Sequence, residues 1–270
     1  MAITLTQGMR SNLFALQQTT RLMDQTQNRL ATGKKVNSAL DDPVNFFKAK
    51  DHSDRARDLS AKKDGMNEAI KTIEAANTGI ESIYDLLDQM KSLAQAAKTS
   101  ENTTDLASQF DAIRSQVATL ASDSNYGGTN LLNGESLSVE FDPSGTNTLT
   151  VDGADAQATT VGVVAGVSVA AADFANATTI ESGAVSEIDA AVDNLRTEAQ
   201  KLASSLSTIE IRADFTQNMI DTLNTGADNL TLADMNEEGA NMLMLQTRQQ
   251  LGTTSLSMSS QAAQAVLRLF

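Results

Sequence analysis

The sequence predicts a mainly α-helical protein, built as a long antiparallel helical bundle or coiled-coil rod with a small region of β-structure. Two observations carry this prediction. Apolar residues recur at alternating spacings of three and four along three stretches of the chain, which is typical of helices that pack along one seam. The composition, with no Trp or Cys and only two Tyr and two Pro, suits long, closely packed helices better than a round aromatic core.

The first seam lies in a predicted helix over residues 44–98 and is interrupted only by Lys62. A single helix cannot bury such a stripe alone, so other helices are expected to cover it. The seam positions are Leu59, Lys62, Met66, Ala69, Ile73, Ala76, Ile80, Ile83, Leu87, Met90, Ala94 and Ala97.

The second seam lies in a predicted helix over residues 184–231, which at about 1.5 Å per residue is on the order of 70 Å long. A shorter seam, in a predicted helix over 104–122, lies between the other two in sequence. Periodicity alone leaves a generic helical bundle open. The longer seam runs through Val185, Ile188, Val192, Leu195, Ala199, Leu202, Leu206, Ile209, Ala213, Thr216, Ile220, Leu223, Ala227 and Leu230, and the shorter through Leu106, Phe110, Ile113, Val117 and Leu120.

Turn and strand signals separate the second and third predicted helices. The stretch NYGGTNLLNG (125–134) contains Gly-Gly and Asn-Gly turn signals. The stretches SLSVEF and NTLTV then flank DPSGT, which predicts a β-hairpin. Residues 135–183 are therefore interpreted as a short region of strands and loops between the second and third predicted helices.

Both ends of the chain carry diluted apolar stripes and few charges. Helices with such stripes are too weakly amphipathic to stand alone in water and too polar to span lipid, so they are expected to be surrounded by protein. The N-terminal stripe is Met9, Leu13, Leu16, Thr20, Met23, Gln27 and Leu30; the C-terminal one is Met242, Leu245, Gln249, Gly252, Leu256, Ser259, Ala263, Val266 and Phe270. Between the first end and the long helix, Asp41-Asp42-Pro43 predicts a capped helix start.

Charge and residue types exclude several functions. The net charge is −14 and is concentrated in the middle of the chain, which argues against nucleic acid and anionic membrane as partners. No apolar run is long enough for a membrane helix, and the N-terminus has no apolar segment typical of a cleavable signal peptide. His52 is the single histidine, Gly33-Lys34 lacks the rest of a phosphate loop, and no catalytic set emerges. We therefore expect no enzyme activity, cofactor or metal site.

Three separated motifs stand out, namely RLATGKKVNSALDDP (29–43), NYGGTNLLNG (125–134) and LQTRQQLGTTSLSMSSQAAQAVLRLF (245–270). Together they resemble bacterial flagellins, most closely the short flagellins of α-proteobacteria. Their order along the chain is that of the family. Pro43 also occurs at this place in hook–filament junction proteins, so a hook-associated protein is the alternative. A secreted helical effector is a more distant alternative, but it would be expected to carry a membrane-active apolar hairpin.

The resemblance implies a structural subunit that polymerises with itself into the flagellar filament. It implies secretion to the cell exterior through the flagellar type III export apparatus, without a cleaved signal peptide, and an export chaperone, hook-associated proteins and the filament cap as further partners. The implied division is 1–43 and 235–270 as paired terminal helices of an inner tube, 44–134 and 184–234 as rod, and 135–183 as outer region.

Two sets of residues follow from this interpretation. We expect the ends to be largely disordered in the free subunit and to order on assembly through Leu13, Leu16, Met23, Leu245, Leu256 and Val266. Flagellins often carry O-linked sugars on outer hydroxyl groups, for which the candidates are Ser144, Thr159, Thr160, Thr178 and Thr179.

Overall fold

The structure, a computed structural model, describes residues 7–154, 156 and 177–267. Within these residues it contains helices and one two-stranded antiparallel sheet, which confirms the predicted fold class. The helices are α1 (Gln7–Thr32), α2 (Pro43–Ala97), α3 (Thr103–Asp123), α4 (Ala177–Ile180), α5 (Ser186–Thr231) and α6 (Met235–Leu267), the strands are β1 (Ser136–Glu140) and β2 (Thr148–Asp152), and a π-helical turn, Glu181–Val185, joins α4 to α5.

The chain divides into two compact units. One unit, here called the central unit, is Ala56–Asp221; the other, the terminal unit, is Met1–Arg55 together with Thr222–Phe270. The central unit contains twenty-five acidic and ten basic residues, whereas the terminal unit contains nine acidic and ten basic residues. The negative charge of the protein therefore belongs to the central unit.

The core of the central unit is formed by the three predicted seams. Every predicted apolar seam position of α2, α3 and α5 in this unit is buried or half-buried. The largest fully buried side chains come from α2, α3, α4, α5 and the turn after α3. They include Met66, Ile73, Ile80, Ile83, Leu87, Met90, Phe110, Leu131, Leu132 and Ile188.

The β-hairpin packs on this core through one face. Val139 and Val151 are buried, and the predicted strands pair with Val139 opposite Leu149. Lys62, which interrupts the α2 seam, places its Nζ 2.5 Å from Glu140 Oε2 on β1. A cation therefore stands in the seam where its charge can reach a carboxylate on the hairpin.

The turn between α3 and the hairpin is organised by Asn130, which is buried. Its Nδ2 donates to the carbonyl oxygens of Ala121 and Ser122 at 2.8 and 2.9 Å, and its Oδ1 accepts from the amide of Leu132 at 2.9 Å. Because the whole amide is hydrogen-bonded, its burial carries little desolvation penalty. Asn130 thus joins the last turn of α3 to the chain that delivers Leu131 and Leu132 to the core.

Candidate assembly surface

The two ends of the chain form one antiparallel helix pair, α1 with α6. Asn12 Nδ2 donates to Ser255 Oγ at 3.2 Å, and at the opposite end Arg29 Nη1 lies 2.8 Å from Glu238 Oε1. The partner's number falls as the number on α1 rises, so the helices run in opposite directions. This pairing agrees with the paired terminal helices that the resemblance implies.

The predicted stripe of α1 agrees with the burial seen in the structure at four positions and differs from it at three. Met9, Leu16, Met23 and Leu30 are buried or half-buried, as predicted. The positions between them are Asn12, Thr19 and Thr26, whereas the predicted Leu13, Thr20 and Gln27 are exposed. Both sets alternate spacings of three and four, and an apolar residue at position 13 favoured the wrong one. Of the covered polar residues, Asn12 finds its partner on α6, in the hydroxyl of Ser255.

The predicted stripe of α6 is confirmed at each position whose side chain the structure describes. Those positions are buried or half-buried, and they are Met242, Leu245, Gln249, Gly252, Leu256 and Ser259. The side chains of Ala263 and Val266, and all of Phe270, lie outside the described residues. Gly252 lets α1 approach closely, since a Cβ there would lie 2.6 Å from Leu16 Cδ1.

A ring of contacts joins the C-terminal end of α1 to the N-terminal end of α6. We call this ring the clasp, and it consists of Arg29, Gly33, Ala233, Asp234 and Glu238. The Gly33 amide donates to Arg29 O at 2.8 Å, and the Ala233 amide donates to Gly33 O at 2.9 Å. The Glu238 amide donates to Asp234 O at 2.9 Å, and the Arg29–Glu238 ion pair completes the ring. Gly33 has a φ of 70°, which favours glycine.

The link that follows α1 is fixed by hydrogen bonds. The amides of Lys35 and Val36 donate to Thr231 O at 2.7 and 3.3 Å. Asp41 Oδ2 accepts from the amides of Ser38 and Asn37 at 2.9 and 3.0 Å. These two backbone hydrogen bonds, with the Ser38 hydroxyl and the Arg29 charge, hold the pKa of Asp41 below its usual value of 3.8.

The predicted start of α2 is confirmed. Asp42 Oδ1 accepts from the amide of Asn45 at 3.1 Å, and Asp42 Oδ2 accepts from Asn45 Nδ2 at 2.7 Å. Pro43 is the first residue of the helix. A capping carboxylate before an N-terminal proline therefore starts α2.

Both helices of the α1–α6 pair expose large apolar side chains to solvent, outside the seam between them. We call this set the outer apolar residues. Each is more than one third exposed, with Leu243 at 68%, Leu251 and Met258 at 66% and Phe14 at 64%. The set is Leu13, Phe14, Leu22, Leu243, Met244, Leu251 and Met258. Sequence reasoning missed all but Leu13, because it followed one stripe per helix; the low charge of the remaining faces was the available signal.

The residues expected to make assembly contacts therefore fall into two groups. Met23 and Leu245 are buried, and Leu16 and Leu256 are half-buried, all along the seam inside one subunit. Leu13 is 39% exposed and is one of the outer apolar residues. The side chain of Val266 lies outside the described residues. Whether any of these residues contacts another subunit stays a prediction.

The expected disorder of the ends differs from the structure of the single chain. There α1 and α6 are helices, because each covers part of the other's apolar stripe.

No helix within the described residues is long and apolar enough to cross a membrane. The described residues also bring together no group of three or more potential metal ligands.

The glycosylation candidates are dispersed. Ser144 is exposed between the strands, where its hydroxyl contacts the Asp142 carboxylate and lies 3.0 Å from Thr146 Oγ1. Thr179 is half-buried in α4. Thr159 and Thr160, and the side chain of Thr178, lie outside the described residues.

Comparison with known proteins agrees with the helix pair and its motifs. Residues 5–136 match the bacterial flagellin N-terminal helical region, and residues 185–270 match the bacterial flagellin C-terminal helical region. Flagellin FljM of Caulobacter vibrioides is 31% identical over 263 residues, covering 94% of this chain and 93% of FljM. The chain belongs to the bacterial flagellin family. It is a structural subunit of the flagellar filament, a polymer of such chains.

Further relatives of this flagellin have the same family name. Flagellin FljO of Caulobacter vibrioides is 30% identical, covering 96% of this chain and 95% of FljO. The flagellin of Brucella melitensis is 29% identical over 271 residues, covering 96% of this chain and 95% of its own length. Because these α-proteobacterial relatives are flagellins, a hook-associated protein is not favoured. Among solved structures, Bacillus cereus flagellin matches 56% of this chain at 18% identity, with a TM-score of 0.48.

Proposed function

We propose that copies of this chain polymerise through the outer apolar residues of the α1–α6 pair, so that each pair is surrounded by pairs from neighbouring subunits. The observation that carries the proposal is the exposure of Phe14, Leu243, Leu251 and Met258, each about two thirds accessible in the single chain. A soluble protein seldom exposes several such residues on one element unless another surface covers them.

The energetics favour assembly over an isolated pair. Full burial of one such side chain contributes about 1.5–3 kcal/mol, and each subunit presents several. The pair itself has a seam in which three of the seven α1 positions are polar, so its own stability in water is small. Repeated burial in a polymer can offset the entropy lost when both ends are ordered.

Within this proposal the predicted contact residues have different roles. Leu16, Met23, Leu245 and Leu256 hold α1 against α6 and so create the surface. Leu13 contributes to the outer side directly, and Val266 remains a candidate near the end of α6. The free subunit is expected to open this pair often, which retains part of the predicted disorder.

Amide hydrogen exchange tests that last expectation. In the free subunit, amides of 7–32 and 235–267 should exchange much faster than those of α2 around Ile80, and in the polymer they should become protected. Equal protection of both regions in the free subunit would contradict it.

The main experiment removes the outer apolar residues of α6. The variant Leu243→Ser/Leu251→Ser/Met258→Ser should fail to sediment as filaments, while its central unit melts at the same temperature as the unchanged protein. Gln246→Ser is the matched control, since Gln246 is an exposed α6 position with no apolar side chain to lose. Filaments of the triple variant at an unchanged critical concentration, seen by electron microscopy, would refute the proposal.

A truncation gives a second, coarser test. Deletion of 241–270 removes most of α6 and should leave a soluble monomer whose central unit is intact. Filaments formed by the truncated chain would be incompatible with a polymer built on the α1–α6 pair.

We also propose that the subunit reaches the cell exterior through the flagellar type III apparatus, without cleavage, and meets an export chaperone, hook-associated proteins and the filament cap on its way. Family membership supports this. Intact-mass measurement of subunits from native filaments should match a chain that has lost at most its initiator Met. The same spectrum decides whether the subunit carries sugars, because each added sugar raises the mass, and peptide fragmentation would then assign them among Ser144, Thr159, Thr160, Thr178 and Thr179.

A further inference from the structure

The apolar seam between α1 and α6 does not by itself fix how the two helices are aligned along their axes, that is, their register. Met9, Leu16, Met23 and Leu30 repeat every seven residues on α1, and Leu245, Gly252 and Ser259 repeat every seven on α6. If α1 slipped by one heptad, Met23 would face Gly252 where Leu16 now lies. Apolar contacts of similar size would re-form, so hydrophobic packing alone distinguishes the two registers weakly.

The charges of the clasp do not repeat. In the observed register Arg29 faces Glu238 at 2.8 Å. After the same slip Arg29 would face Leu245, and Glu238 would lose its cation. Glu238 is 6% exposed, so a carboxylate left there without a partner is strongly disfavoured.

The same ion pair is poorly suited to stabilise the fold as such. Arg29 Nε is buried and has no hydrogen-bond acceptor within the described residues. The Arg29 side chain is 31% exposed, but its buried Nε carries a desolvation penalty that the Glu238 contact at Nη1 does not offset. Its presence is explained better by the alternative registers that it excludes.

We propose that Arg29 and Glu238 are positioning residues that select the register of α1 on α6. The ion pair lies within the clasp, where the Arg29 carbonyl accepts from Gly33 and the Glu238 amide donates to Asp234. Side-chain recognition is thus coupled directly to the last turn of α1 and the first turn of α6. The consequence is one arrangement of the outer apolar residues of the two helices rather than several.

A set of backbone contacts could also fix the register, and the test must distinguish its effect from that of the ion pair. The isolated bridge between Lys34 and Leu232, with the Lys35 amide on Thr231 O at the end of α5, also joins the chain after α1 to the chain that leads into α6. Backbone hydrogen bonds do not depend on side-chain identity, and this tie would remain in variants of Arg29 and Glu238. If it sets the register alone, those variants keep the observed register.

Engineered cysteines can measure the register directly, because the chain contains no Cys. Asn12→Cys with Ser255→Cys reports the observed register, since these side chains lie 3.2 Å apart. Asn12→Cys with Ala262→Cys is the matched pair for the one-heptad slip. Each pair is placed in the full-length chain and oxidised mildly, in the free subunit and in assembled material.

The decisive comparison places each cysteine pair in the double variant Arg29→Met/Glu238→Leu, in which apolar side chains of similar size replace the ion pair. We expect unchanged or higher thermal stability of the helix pair, together with a fall of about tenfold in the ratio of 12–255 to 12–262 crosslinks. The exchanged variant Arg29→Glu/Glu238→Arg should restore the original ratio. Arg29→Glu alone should lower it, because two carboxylates would then meet.

An unchanged crosslink ratio in the apolar variant would overturn the proposal and assign the register to the backbone bridge. Loss of both crosslinks would also overturn it, because the ion pair would then be needed for pairing itself. These readouts do not depend on the outer apolar residues. If the ratios behave as expected but filaments form without those residues, only the proposed assembly surface fails.

Discussion

Leu16 on α1 packs against Gly252 on α6 so closely that a methyl group on Gly252 would lie 2.6 Å from Leu16 Cδ1. No side chain larger than a hydrogen atom fits there without displacement of Leu16. The contact lies near the middle of the seam that the two helices share. The small size of Gly252 thus permits the close approach of Leu16.

Replacement of this glycine should therefore behave differently from replacement of another glycine in α6. Gly239→Ala meets open space, so we expect the usual gain of about 1 kcal/mol in helix stability. Gly252→Ala should show little or none of that gain, since Leu16 must move. Amide exchange of α6 measures both, and addition of Leu16→Ala should recover the gain. Equal stabilisation by the two alanines would contradict the packing.

A matched pair of glycines tests the central unit. A Cβ on Gly79 would lie 2.3 Å from Ser124 Oγ and 2.8 Å from Leu132 Cδ1, whereas a Cβ on Gly65 meets nothing within 4 Å. Gly79→Ala should lower the free energy of unfolding by about 1–3 kcal/mol because of overpacking. Gly65→Ala, in the same helix, should raise it by up to about 1 kcal/mol. Urea denaturation of both variants checks the difference in sign.

Two phenylalanines provide a test of core against surface. Phe110 is 0% exposed in α3, and Phe215 is 55% exposed in α5. Phe110→Ala should lower the free energy of unfolding by about 3–5 kcal/mol, since it removes buried surface and leaves a cavity. Phe215→Ala should change it by less than about 0.5 kcal/mol. Similar losses from both would mean that Phe215 is covered in solution.

The turn before α2 should depend on pH through Asp41. Its folded pKa is lowered mainly by the backbone hydrogen bonds from Ser38 and Asn37, so the carboxylate supports the turn above its usual pKa of 3.8. That support is lost as pH falls through the lowered folded value. The amide resonance of Ser38 should therefore titrate below pH 3.8, and the transition should vanish in Asp41→Asn. A midpoint at or above 3.8 would contradict the assignment.

The rod could be predicted from sequence because its seams are long and dominated by Ile, Leu and Met. A wrong register over twelve positions of α2 would have exposed many apolar residues, so only one stripe was plausible. Lys62 was recognised as an exception, but its partner Glu140 could not be found from spacing, since the hairpin brings it there from 78 positions away.

The terminal pair was harder to predict for the opposite reason. Leu13 and Asn12 both satisfy a spacing of three or four from their neighbours, and only the position of Ser255 on α6 decides between them. Arg29 and Glu238 are likewise unremarkable in sequence. Their pairing follows from the antiparallel register, which no local pattern contains.

The ion pair of the clasp joins residues 209 positions apart. Contacts this distant in sequence form late, because nearly the whole chain must be present before its ends can meet. A chain that has delivered only its first part can fold its early helices but cannot close α1 on α6. The α1–α6 pair therefore needs both ends of the same chain, and we expect a subunit that lacks either end to form no such pair.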